Sequence, residues 1–82
     1  MARTKTPTAD TPAADIARAV RAEMARRGMT QDALAERLGL TQRALSRRLT
    51  ADMSFRAEEL AAVAAVLDVP VTTFLPVPER AA

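Results

Sequence analysis

Thr30, Gly39 and Thr41 stand at the three positions that most constrain this chain. A threonine ahead of a run with helical periodicity acts as an N-cap, because its hydroxyl accepts from first-turn amides that have no helical partner. A glycine just after such a run takes the left-handed conformation that ends a helix. Between Thr30 and Gly39, Leu34, Ala35 and Leu38 mark one apolar face; beyond Thr41, Leu45 and Leu49 recur four apart. The pattern predicts two short helices joined by a tight turn at Gly39, with Leu40 tucked between them. Asp32 in the first turn of the earlier helix suits the positive end of its dipole.

The flanking chain reads as further helices. Thr11-Pro12 is an N-cap followed by proline at the first helical position, where its missing N–H costs nothing. Ile16, Val20 and Met24 then recur every fourth residue, Asp15 opens the helix, Arg26 and Arg27 close it, and Gly28 stops it. Residues 50–55 read as a loop. A helix starting near Ser54 or Arg56 carries Leu60, Val63, Ala64 and Leu67 at the i, i+3, i+4, i+7 spacing, and Val69-Pro70 ends it. A short fifth helix is expected over residues 72–75. The division is therefore an arm, 1–11, without apolar periodicity; one folded domain, 12–75; and a tail, 76–82, opened by Pro76 and Pro78. No internal repeat or second domain is legible. The expected fold is all-α, with four or five helices.

Composition narrows the function. The 82 residues contain no cysteine and no histidine, so the chain offers no disulfide, no usual zinc site and no usual general base. Ser46 and Ser54 have no histidine partner, and the carboxylates pair only as the adjacent Glu58 and Glu59. Neither an enzyme nor a cofactor is expected. No apolar run approaches the ~20 residues of a membrane span, and the start of the chain has no apolar signal core. A reducing cytoplasm is the expected setting. The net charge is only +2, but between residues 37 and 56 five arginines (37, 43, 47, 48, 56) face Asp52 alone. That block suits a polyanion, or else a solvated arginine-rich surface.

The second helix of the pair carries Gln42, Arg43, Ser46, Arg47 and Arg48 on its polar faces, and the two leucines hold it from behind. A helix that enters the DNA major groove needs that apolar anchor, a preceding helix that fixes its angle, and outward donors matched to base edges. Gln can pair with adenine and Arg with guanine, each good pair contributing ~1–3 kcal/mol of discrimination. Gln42, Arg43, Ser46 and Arg47 are therefore the expected base contacts. Thr30, Gln31, Thr41, Arg48, Thr50 and Arg56 are the expected phosphate contacts, with Arg3 and Lys5 as further contacts from the arm. Val71, Phe74, Leu75 and Val77 form either a dimer patch or, for Phe74 above all, the cap of the monomer's core.

The string Thr-Gln…Leu-Ala…Leu-Gly-Leu-Thr-Gln…Leu-Ser-Arg, followed by Glu-Leu-Ala…Leu-Asp-Val-Pro…Phe-Leu, resembles the phage-repressor and Cro-type (XRE, lambda-repressor-like) helix-turn-helix family over roughly residues 15–75. The resemblance implies a five-helix domain that binds operators, commonly as a homodimer. It implies that Gln31 touches a phosphate and braces Gln42, that Arg43 and Arg47 read bases, and that Thr41 meets the backbone. The family often has Asn-Gly or Arg-Gly after the third helix, where this chain has Thr50-Ala51, and an apolar residue then Glu where it has Arg48-Leu49. A sequence-specific transcriptional regulator, in the simplest case a repressor on a two-fold operator, is the leading expectation. A protein-interaction module on the same fold, such as an antitoxin or regulatory adaptor, is the alternative.

Overall fold

The computed structural model of the chain describes residues 11–76. Four α-helices, α1 (Pro12–Arg27), α2 (Gln31–Leu38), α3 (Gln42–Leu49) and α4 (Ala57–Leu67), are followed by a 3-10 turn, Val71–Phe74. The caps are those the sequence dictates. Thr11, Thr30 and Thr41 each accept through Oγ1 from the amide three residues on, at 3.1, 3.1 and 3.0 Å. Helix α4 begins differently: Arg56 is its N-cap, and Glu59 Oε1 accepts from the Arg56 backbone N–H at 2.8 Å.

All four helices end by the same reversal, a left-handed residue just past the last turn with paired bonds back into it. Gly28, Gly39, Ala51 and Asp68 hold those positions, with φ of 63°, 72°, 65° and 59°. A side chain at Gly39 would meet no atom within 4 Å, so conformation rather than space favours glycine there. The residue after each reversal donates to the carbonyl five back: Met29 to Met24, Leu40 to Ala35, Asp52 to Arg47 and Val69 to Ala64, all at 2.9–3.0 Å. In three of the four this returns an apolar side chain (Met29, Leu40, Val69) onto the core. Helix α4 therefore stops at Leu67, earlier than Val69-Pro70 suggested, because Asp68 tolerates the left-handed turn.

The core gathers Val20 and Met24 of α1, Leu34 and Ala35 of α2, Leu45 and Leu49 of α3, Leu60, Val63, Ala64 and Leu67 of α4, and Phe74. Ile16, Leu38 and Leu40 pack against it half-buried. On α2 Ala33 is exposed and Ala35 buried, and on α3 Ala44 is half-buried. The fifth helix is one residue earlier than expected, a single 3-10 turn that buries Phe74. Helix α3 packs on α1 and α2, while none of its Cα atoms comes within 8 Å of one in α4. Among the described residues no helix is long and apolar enough to cross a membrane.

Candidate nucleic-acid interface

Leu45 and Leu49 are buried, so the opposite side of α3 faces outward with its polar residues. The turn at Gly39 folds α3 against α2, which brings the start of α2 beside that outward side. The result is an open cleft of about 360 Å³ lined by Gln31, Gln42, Arg43, Ser46 and Arg47. All four residues expected to touch bases line it, together with Gln31. The side chains of Gln31 and Gln42 share the cleft, with no hydrogen bond between them among the described residues.

The arginines differ in what they already hold. Arg43 is exposed and has no ion pair among the described residues. Arg47 donates through Nε to Asp52 Oδ2 at 3.1 Å. Arg56, at the start of α4, is exposed and pairs only loosely with Glu58, at 3.5 Å. Thr30 and Thr41 are also exposed; their oxygens accept from the helix amides, which leaves each hydroxyl proton to donate outward. The amides of Gln42 and Arg43 precede the capped one at Ala44 and form the positive end of the α3 dipole, close to the cleft.

Two residues expected at phosphates are otherwise engaged. Arg48 is turned inward, its side chain only 11% exposed. Its Nε and Nη2 donate to Glu59 Oε1 and Oε2 at 2.8 and 3.1 Å, and its Nη1 donates to the Ala44 carbonyl at 2.9 Å. The reason is rotational. Arg43 and Arg47 are four apart on one face, whereas Arg48 is turned ~100° further, next to the buried stripe. Thr50 donates its hydroxyl to the Arg47 carbonyl at 3.2 Å and its amide to Ser46, so neither donor is left for a phosphate. The loop contact common in the family is accordingly not built here by Thr50.

Of the proposed dimer patch, Phe74 is 1% exposed and belongs to the monomer's core, where an aromatic ring buries the most apolar area. Val71 and Leu75 remain 37% and 43% exposed. Arg3, Lys5 and Val77 lie outside the described residues. Sequence reasoning missed Arg21 of α1, whose Nη1 donates to the Leu49 carbonyl and places a cation at the negative end of α3. A separation of 28 residues leaves no local signal for that contact. It also missed Asp52 as the partner of Arg47.

The outward donor-bearing helix, set by a glycine turn against the helix before it, defines a DNA-binding helix-turn-helix domain. The helix-turn-helix family profile matches residues 20–74, and the chain belongs to that family, with a lambda-repressor-like all-α fold. This is a family of DNA-binding transcription regulators and not of enzymes. Among solved structures, the crystal structure of a hypothetical transcription factor, NHTF, from Neisseria is similar. It aligns at a TM-score of 0.76 and 21% identity, covering 98% of this chain and 92% of that one. At that identity the likeness is one of fold. No curated protein matches the chain.

Proposed function

We propose that this domain reads a specific DNA sequence, with α3 lying in the major groove and Gln42, Arg43, Ser46 and Arg47 facing base edges. The observation that carries the reading is the convergence of these four side chains, with Gln31, on one open cleft. Arg43, with no ion pair among the described residues, is the principal reader; its guanidinium has the fork that matches O6 and N7 of guanine. Thr30, Gln31, Thr41 and Arg56 hold the phosphates on either side, and the α3 amides add to that hold.

A single eight-residue helix covers few base pairs, so useful selectivity calls for two copies on a two-fold site. Half-sites about one turn apart, ~34 Å, fit such an arrangement. Exposed Val71 and Leu75 are the apolar side chains assigned to the contact between copies. Blocking of polymerase at such a site makes the protein a repressor.

The test is selection of duplexes from a randomised pool by the full chain. Fluorescence anisotropy then measures the enriched duplex against a scrambled one over a series of salt concentrations. Enrichment of an inverted repeat is expected, with affinity falling as salt rises, by a log–log slope of about −0.9 for each phosphate neutralised. Failure to enrich any sequence, with equal binding to both duplexes, would overturn the reading.

A further inference from the structure

We infer that Asp52 is a specificity-determining residue that acts through Arg47; the inference rests on the proposed reading of DNA by α3. The reversal at Ala51 carries the chain back along α3, and the Asp52 amide donates to the Arg47 carbonyl at 2.9 Å. The two residues are thus joined through the backbone, and their side chains meet again at 3.1 Å between Arg47 Nε and Asp52 Oδ2. The equivalent positions in the other three helices are apolar pairs, Met24 with Met29, Ala35 with Leu40 and Ala64 with Val69. Only the DNA-facing helix replaces the apolar pair with an arginine and an acid, and this pair is open to solvent, at 50% side-chain exposure for Arg47 and 65% for Asp52. An exposed pair of this kind contributes little to folding, so its consequence lies in what Arg47 presents.

Asp52 takes the Nε–H and leaves the terminal Nη1 and Nη2 without an acceptor among the described residues. Those two nitrogens are the fork that pairs with guanine O6 and N7. Holding Nε removes rotamers that would otherwise have to be frozen on binding. The carboxylate also repels any phosphate that approaches Arg47. It therefore weakens sequence-independent attraction while favouring the oriented base contact, which is discrimination by disfavouring the wrong complex. Asp52 thus positions Arg47 for one base pair and lowers affinity for all other DNA.

Selection from a randomised duplex pool is run for the full chain, Asp52→Ala, Arg47→Ala and the double variant, with anisotropy on the enriched and scrambled duplexes. Asp52→Ala is expected to bind the scrambled duplex more tightly, by about two- to fivefold at low salt. It is expected to lose about tenfold in preference at the single base pair that Arg47→Ala also flattens. In the Arg47→Ala background, adding Asp52→Ala is expected to leave the preferences unchanged. An unaltered preference profile for Asp52→Ala, beside a wild-type chain that enriches a sequence, overturns the inference and leaves the proposed function standing. So does a loss spread evenly over all positions. A wild-type chain that enriches nothing overturns both.

Discussion

Arg48 and Glu59 join two helices whose Cα atoms nowhere come within 8 Å of each other. The bidentate pair, at 2.8 and 3.1 Å, is the ion pair that links α3 to α4 among the described residues, and both partners are largely withdrawn from solvent. Glu59 also caps α4 through the Arg56 amide, so one carboxylate fixes the start of one helix and the flank of another. Such a pair costs desolvation to form, but removing one member leaves a charge without its partner.

Glu59→Gln is accordingly expected to destabilise the domain by about 2 kcal/mol, the scale of a hydrogen bond to a charged group. The bond to Arg48 holds Glu59 below its usual value of 4.5; the Arg56 amide and the nearby charges add to this, while burial opposes it. A carboxyl depressed by folding contributes stability that is present above its unfolded pKa and lost as pH falls through the folded one. Thermal unfolding from pH 7 downward therefore checks both parts. The gap between wild type and Glu59→Gln is expected to be full at neutral pH and to narrow below about pH 4.5. A gap of constant size would contradict the bridge.

Ala51 sits at φ 65°, a conformation that costs an L side chain roughly 1–2 kcal/mol and glycine almost nothing. Glycine gives back part of this through its freer unfolded chain. Ala51→Gly is expected to raise stability by ~0.5–1 kcal/mol, read as a higher Tm with no change in DNA preference. A lower Tm would show that the reversal after α3 is not strained.

Thr41 has two roles that can be separated. As N-cap its loss to alanine is expected to cost ~1 kcal/mol of stability. Thr11→Ala removes the same kind of cap from α1 and is expected to cost about as much. Only Thr41→Ala is expected to weaken DNA binding as well, because Thr41 caps the helix whose first two residues, Gln42 and Arg43, line the cleft. Equal effects of the two on DNA affinity, at matched stability, would remove Thr41 from the interface.

Gln31 lines the cleft from the neighbouring helix and is assigned to phosphate. Gln31→Ala is expected to weaken binding to preferred and scrambled duplexes by similar factors, since a backbone contact positions without specifying. Selective loss on the preferred duplex alone would make Gln31 a base reader instead.

Features that were legible in the sequence are those set by neighbours along the chain. Thr30 and Thr41 cap because their amides lie three residues away, and Gly28 and Gly39 end helices because of their own φ preference. The spacing of Leu45 and Leu49 turns Arg43 and Arg47 outward, with Ser46 on their flank, whatever the rest of the fold does; Gln42 shares the side of Leu45 and is exposed because it opens the helix. Features set by the approach of distant segments were not legible. Arg48 looked outward because its partner Glu59 belongs to a helix whose orientation no local pattern specifies, although its place beside the Leu45–Leu49 stripe carried a hint. The Arg21 contact to the end of α3 had no local sign at all. Asp52 was visible as a lone acid among arginines, but its reach to Arg47 depends on Ala51 taking a left-handed turn that alanine rarely adopts.

The most direct test of the account is the base-by-base preference of Arg43→Ala beside Arg37→Ala. Arg37, on α2, is likewise exposed and without an ion pair among the described residues, but it lies outside the cleft lining. Binding is measured on the preferred duplex and on each of its single base-pair substitutions. Arg43→Ala is expected to abolish discrimination at one base pair of each half-site, by ~1–3 kcal/mol, while the other positions keep theirs. Arg37→Ala is expected to leave the profile intact. Identical profiles for wild type and Arg43→Ala would contradict the assignment of α3 as the helix that reads DNA.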